Sequence, residues 1–197
     1  MNEIVFEPYV GSKYGNARCR LLIVGESHYD EPSDIPLKST RTVVEKWRSG
    51  EWSVRYLTVA SRIITGKEAH EVDRQTAFDE VAFYNFVQTM MTKGERPTAQ
   101  QAQASEGAFL KVLHLLSPTH IIMGSYFAWE NTPADQCRKG HVSLDGMTLK
   151  AREYQTDKGF AVAIPLPHFS RASAKEWQNA VREFLGQDKP MVTYEVP

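Results

Sequence analysis

Four short stretches of the chain are almost continuously apolar, without alternation between apolar and polar positions. They are residues 21–24, 81–87, 120–123 and 160–164. A strand that is covered by helices on both faces of a parallel sheet requires this pattern. Because helical periodicity lies between the stretches, the pattern predicts an α/β fold: a three-layer α/β/α sandwich around a central, mostly parallel four-stranded sheet.

Two of the intervening helices carry start signals. Thr98–Gln101 and Ser173–Glu176 have the spacing of a capping box, in which the first and fourth side chains bond each other's backbone N–H groups. Apolar residues then recur at helical spacing in both segments. Pro118 is expected to end the first helix, and Gly186 is expected just beyond the end of the second.

A long insert of mainly helical pattern, about residues 31–80, separates the first two strands, with helices expected near residues 40–48 and 53–64. A hairpin turn at 156–159 is expected to add an antiparallel edge strand, residues 148–155, beside the last parallel one. No repeat, low-complexity tract or Pro/Gly/Ser linker divides the chain. We therefore predict one domain over residues 1–197.

The amino-acid composition excludes several classes of protein. With 42% hydrophobic and 24% charged residues, the 197-residue chain is typical of a folded globular protein. Its two cysteines, Cys19 and Cys137, suggest neither a disulfide framework nor a Cys-rich metal site. No apolar run approaches the roughly 18 residues of a membrane span, and the amino terminus lacks the features of a signal peptide. We expect a cytoplasmic monomer with no membrane association, no cofactor and no metal.

Polar and titratable residues follow the carboxyl ends of the predicted strands, where open α/β sheets bind their ligands. Gly25-Glu26-Ser27-His28-Tyr29-Asp30 follows the first strand, Asn85 lies near the end of the second, and Gly124-Ser125-Tyr126 follows the third. Residues 165–173, which include His168, follow the fourth. Because these ends meet at one edge of the sheet, we expect Glu26, Asn85 and His168 to line one cleft.

Each of these side chains suits a step of polar chemistry. Glu26 can orient a water molecule or stabilise a developing cation, and His168 can donate a hydrogen bond to an anionic leaving group. The Asn85 amide offers a donor and an acceptor to a nucleobase edge, and burying it without a partner is costly. Each residue also has a purely structural explanation: a polar turn, a packed histidine, or a bond from the amide to a neighbouring loop.

Positive charge is local in this chain, whose net charge is −1. Hydroxyls, a guanidinium and free N–H groups at a helix N-terminus form an anion site, and residues 170–173 provide them, with Ser173 also expected as the N-cap. A second basic stretch covers residues 36–63, although similar stretches occur on ordinary solvated helices. The predicted DNA-binding residues are Lys38, Arg41, Ser170, Arg171, Ser173 and Lys175.

In order and spacing, these motifs resemble the uracil-DNA glycosylase superfamily over residues 21–186. The first-strand motif of that superfamily is Gly-Gln-Asp-Pro-Tyr-His in one branch and Gly-Glu-Ala-Pro-Gly in others, and residues 25–30 share features of both. The asparagine that recognises the base corresponds to Asn85. The later His-Pro-Ser-Pro-x-Ser motif corresponds to residues 168–173, which keep the histidine and both serines. Ser27 stands where the main branch has its water-activating aspartate, and His28 and Phe169 replace two prolines.

The resemblance implies a DNA glycosylase that cleaves the N-glycosidic bond of a uracil-like, damaged or modified base flipped out of DNA. His168 would bond the departing base, and Glu26 would stabilise the sugar cation or position water. Ser27, Tyr29 and Asn85 would form the base-binding pocket. DNA is then the partner.

Two other functions fit the same residues. A non-catalytic member of the superfamily would bind DNA or a nucleotide without cleaving it, which the missing aspartate favours. A serine hydrolase of the SGNH type would use Ser27 as nucleophile and His168 as base, because Gly25-Glu26-Ser27 is similar to the Gly-Asp-Ser motif of that family. Pro165 occupies the position of that family's aspartate.

Overall fold

The computed structural model describes residues 3–29 and 39–195. The helices are α1 (Ser39–Arg48), α2 (Arg55–Thr65), α3 (Ala99–Leu116), α4 (Tyr126–Asn131) and α5 (Ala174–Gly186). The strands are β1 (Tyr9–Val10), β2 (Leu21–Gly25), β3 (Val81–Asn85), β4 (His120–Met123), β5 (Cys137–Leu144), β6 (Met147–Thr156), β7 (Gly159–Pro165) and β8 (Thr193–Tyr194).

The strands form one sheet in the order β1-β3-β2-β4-β7-β6-β5-β8. Strands β3, β2, β4 and β7 are parallel to one another and confirm the four strands predicted from continuous apolarity. Gly25 lies opposite Asn85, and Met123 lies opposite Pro165. The four strands therefore end at the same edge, which we call the carboxyl edge.

The predicted number of strands is wrong: the described sheet has eight, not four. The expected hairpin joins β6 to β7, but β6 is not an edge strand, because β5 and β8 continue the sheet beyond it. Strand β5 includes charged, exposed residues such as Arg138 and Lys139, so its sequence lacks the apolar continuity of a buried strand. Strands β1 and β8 have two residues each, too few to give a pattern.

Side chains of the central strands point alternately into two cores, which makes three layers. Helices α1, α2 and α5 cover one face of the sheet and pack on Ile23, Phe83 and Ile122. Helices α3 and α4 cover the other face and pack on Leu22 and Val24. None of these helices, within the residues described, is long and apolar enough to cross a membrane.

At the helix ends, the capping box of α3 is confirmed, Ser173 is the N-cap of α5 as predicted but lacks the capping box, and the predicted place of Gly186 is wrong. At α3, Gln101 N donates to Thr98 Oγ1 (3.3 Å) and Thr98 N donates to Gln101 Oε1 (2.8 Å), as the capping box predicts. Ser173 precedes α5 but forms no capping bond. It is exposed, so water can satisfy the first N–H groups of the helix. Gly186 is the last residue of α5 and not the residue beyond it, because the chain leaves in extended backbone at Gln187 and needs no left-handed glycine.

Candidate active site

Two adjoining cavities open at the carboxyl edge. The smaller has a volume of about 310 Å³, and Ser27 and Asn85 are among the residues that line it. The larger has a volume of about 800 Å³ and extends to Arg171. We call them the pocket and the cleft. The residues that line both are Glu26, Tyr29, His168 and Ser170.

His168 lies in the turn between β7 and α5, where local hydrogen bonds determine the tautomer of its ring. The Ser170 N–H donates to His168 Nδ1 (3.3 Å), and the His168 carbonyl accepts from the N–H groups of Arg171 (2.8 Å) and Ala172 (3.1 Å). Burial lowers the pKa of His168 below its ordinary value of 6.5, although the nearby Glu26 carboxylate raises it. The ring is therefore neutral at pH 7. Since Nδ1 accepts a bond, the ring proton lies on Nε2.

The Glu26 carboxylate is held by two hydroxyl groups from different parts of the chain. Tyr29 donates to Oε1 (3.1 Å), and Ser125 donates to Oε2 (2.6 Å). Ser125 directly precedes α4 and lies just beyond the carboxyl end of β4. Because each oxygen has its own donor, the carboxylate is fixed at the boundary between the pocket and the cleft.

Asn85 is buried, and its amide is already bonded. Its Nδ2 donates to His28 Nε2 (3.0 Å), and the buried Thr40 hydroxyl lies 2.8 Å from the same nitrogen. Burial lowers the pKa of His28 to about 4, so the ring is neutral and Nε2 can accept. A side chain at Gly25 would collide with Asn85 Oδ1. The amide is thus fixed on two sides and still lines the pocket.

Two wall residues of the pocket were not predicted as functional. Tyr56 on α2 donates from its hydroxyl to the Gly124 carbonyl (3.2 Å), and its ring packs edge-on to His168 with centroids 5.2 Å apart. Trp52 is 39% exposed and lines the pocket. Tertiary packing of the insert brings both rings to the site, and nothing in their spacing marks them. Ser125 carried a signal, because it follows a strand end.

The predicted DNA-binding residues separate into different groups. Arg171 and Ser170 line the cleft, whereas Ser173, Lys175 and Arg41 line neither cavity. Arg41 forms an ion pair with Glu45 (2.7 Å). Asp30 and Lys38 lie outside the described residues.

Geometry at Ser27 bears on the serine hydrolase alternative. A hydrolase histidine accepts the serine proton at one ring nitrogen and donates from the other to a carboxylate. Here Ser27 Oγ has no hydrogen-bond partner among the residues described, and His168 Nδ1 accepts a backbone N–H. The described residues also contain no group of three or more side chains placed to hold a metal ion. The arrangement fits a His168 that donates from Nε2, in a pocket that it shares with the fixed Glu26 carboxylate.

Comparison with known proteins adds no relative: no protein-family model matches the chain, and no curated protein matches it significantly.

Proposed function

We propose that this protein is a DNA glycosylase that cleaves the N-glycosidic bond of a uracil-like, damaged or modified base. The observation that carries the proposal is the neutral His168, which has Nδ1 bonded to a backbone N–H and lines one pocket with the Glu26 carboxylate. A neutral donor and a fixed anion are the two groups that heterolysis of this bond requires.

The reaction separates charge and then consumes water. The C1′–N bond breaks, its electron pair leaves with the base, and the sugar becomes a cation. Water adds its oxygen to C1′, and its proton neutralises the base anion. His168 Nε2–H would donate a hydrogen bond to the departing base, and Glu26 would stabilise the cation or orient the water.

The pocket walls suit a flat, polar ring. Phe83, Tyr56 and Trp52 supply aromatic surface, and Asn85 supplies an amide at the pocket wall. Tyr29 lies at the boundary of the pocket and the cleft, where it would exclude bases of the wrong shape. Ser27 also lines the pocket, with its hydroxyl oxygen turned into the protein.

The resemblance to the uracil-DNA glycosylase superfamily supports the same proposal, since the order of its three motifs matches the positions of Glu26, Asn85 and His168. Ser27 lacks the charge of the family aspartate, so Glu26 takes over the role of orienting water. We propose that the protein acts as a monomer in the cytoplasm, where Cys19 and Cys137 remain as free thiols.

A panel of oligonucleotides, each carrying one modified base, tests the proposal by mass spectrometry of the released base. The wild type should release at least one base, Glu26→Gln should release about 10²-fold less, and Ser27→Ala should be nearly normal. Activity that Ser27→Ala abolishes and Glu26→Gln tolerates would indicate a hydrolase instead. DNA binding without release of any base would identify a non-catalytic binding protein.

A further inference from the structure

The cleft beside the pocket is the larger of the two cavities, at about 800 Å³ against about 310 Å³. Four residues line both cavities, so a DNA strand that places one base in the pocket has the cleft directly beside it. The cleft is therefore positioned for the nucleotide next to the target.

Exposed aromatic side chains gather around the two cavities. Within the described part of the chain, the exposed aromatic side chains are Tyr29, Trp52, Tyr126 and Phe160, with 41%, 39%, 49% and 47% of their surface accessible. The first three line the pocket or the cleft. Phe160 lies near the start of β7, at the opposite edge of the sheet. Exposed rings of this kind are the platforms on which single-stranded nucleic acids stack their bases.

The cleft holds two arginines that form no ion pair with its carboxylates, Glu26 and Glu95. Arg96 and Arg171 line the cleft, and neither forms an ion pair with a described residue. Arg96 and Tyr29 line the same cavity, as do Arg171 and His168, so both guanidinium groups belong to the cleft that adjoins the pocket. Phosphates on either side of a bound nucleotide would be their natural ligands.

We propose that the substrate is single-stranded DNA, with the target base in the pocket, the adjacent base stacked on Tyr126 in the cleft, and phosphates bound by Arg96 and Arg171. This inference rests on the proposed function in taking DNA as the ligand. In a duplex, the bases beside a flipped nucleotide remain paired to the opposite strand, so neither can turn out of the helix to stack on a ring in a second cavity. A ring that stacks on a second base requires that base to be unstacked, which a single strand provides.

Binding measurements test this inference separately from catalysis. Fluorescence anisotropy would compare a labelled mixed-sequence single strand with the same strand in a duplex, for the wild type and three variants. The wild type should bind the single strand more tightly. Tyr126→Ala should weaken that binding about 5- to 100-fold, the effect of losing one base–aromatic stack. Tyr126→Phe keeps the ring and should bind normally, as should Phe160→Ala, the matched loss of an exposed ring elsewhere.

Salt dependence tests the arginines. Arg96→Ala and Arg171→Ala should each reduce the slope of log K against log salt by about 0.7, the value for one phosphate of a single strand. Lys158→Ala, in the exposed turn at the opposite edge, should leave the slope unchanged.

The outcomes separate the two proposals. Single-strand binding that depends on the Tyr126 ring, without release of any base, would support the inference and overturn the glycosylase. The inference is overturned if the duplex binds as tightly as the single strand, or if Tyr126→Ala behaves like Phe160→Ala. It is also overturned if the arginine variants keep the wild-type slope.

Discussion

Each end of the parallel strands carries a cavity, and the two ends differ in the state of their polar groups. At the amino-terminal end, a cavity of about 460 Å³ lies between the starts of β2 and β3. The Asp79 carboxylate there pairs with Lys13 (3.1 Å) and Arg48 (2.7 Å), and burial raises the pKa of the Cys19 thiol to about 11, which keeps the thiol neutral. At the carboxyl edge, Arg96 and Arg171 have no described ion-pair partner, and His168 keeps a donor at Nε2.

Volume alone does not separate the two ends, because the amino-terminal cavity of about 460 Å³ lies in size between the pocket (about 310 Å³) and the cleft (about 800 Å³). Both ends of the sheet offer space for a small ligand. The described residues that line the amino-terminal cavity include no histidine and no aromatic ring, whereas those at the carboxyl edge include a fixed carboxylate, a neutral histidine and exposed aromatic rings. At the amino-terminal end, the mostly buried Asp79 carboxylate is held by two ion pairs within the fold. Variants at the two ends should therefore have different consequences.

The largest expected effect is the loss of base release in His168→Ala. Removing one donor that acts on charge in the transition state should lower the rate about 10²- to 10³-fold, with little change in DNA affinity. His114→Ala is the matched control, because that exposed histidine pairs with Asp157 at the hairpin turn of the opposite edge. Single-turnover release would measure both variants. Equal losses in the two would contradict a special role for the carboxyl edge.

A smaller effect is expected from Ser125→Ala, which removes one of the two donors to Glu26. A hydrogen bond to a charged group contributes about 1.5–3 kcal/mol, which corresponds to about a 10- to 100-fold lower rate if the bond is needed in the transition state. Ser125→Thr keeps the hydroxyl and should retain most of the activity. Full activity in Ser125→Ala would show that Tyr29 alone positions the carboxylate.

Histidines also affect stability, and His120 at the amino-terminal edge isolates that effect. Burial lowers the pKa of His120 to about 4, so between pH 6.5 and 4 the unfolded chain binds a proton that the folded protein does not. The free energy of unfolding must therefore fall as the pH falls through this range, by up to about 1.4 kcal/mol per pH unit for each such histidine. In urea unfolding, His120→Gln should reduce by one the number of protons that the chain takes up when it unfolds in this pH range. Base release at pH 7 should be unchanged. An unchanged pH dependence would contradict the assignment.

The smallest effect is expected at Arg41, which the sequence predicted to bind DNA. Its ion pair with Glu45 is exposed, so Arg41→Ala should leave the free energy of unfolding nearly unchanged. The salt dependence of DNA binding should stay as in the wild type. A reduced slope, equal to that of Arg171→Ala, would mean that the DNA-binding surface extends along α1.

Sequence patterns predicted the part of the fold that is buried on both sides. Strands such as β2 and β4 are almost entirely apolar because helices cover both faces, and α3 begins with a capping box that is local in sequence. Strand β5 was missed because its exposed positions carry charge, and β8 because pairing with β5, not its own two residues, makes it a strand. These features depend on contacts distant in sequence.

The candidate site likewise contains residues that the sequence predicted and residues that it did not. Glu26, Asn85 and His168 were predicted together because the ends of parallel strands must meet at one edge, which is a rule of topology. Tyr56 reaches the pocket from α2 by tertiary packing, and Arg96 reaches the cleft from the loop before α3. The spacing of these residues along the sequence does not predict such contacts.

The most direct test of the account is the pH dependence of base release by the wild type, measured in a single turnover on the oligonucleotide that responds. Neutral His168 is the form with a donor at Nε2 and an acceptor at Nδ1, and burial holds its pKa below the ordinary value of 6.5. The rate should therefore be constant from pH 8 to about 6.5, and should fall at lower pH as the ring is protonated and the bond from Ser170 is lost. A rate that rises as the pH falls through 6.5 would show that the charged ring is the active form and would contradict the account. Absence of base release from every oligonucleotide at any pH would contradict it equally.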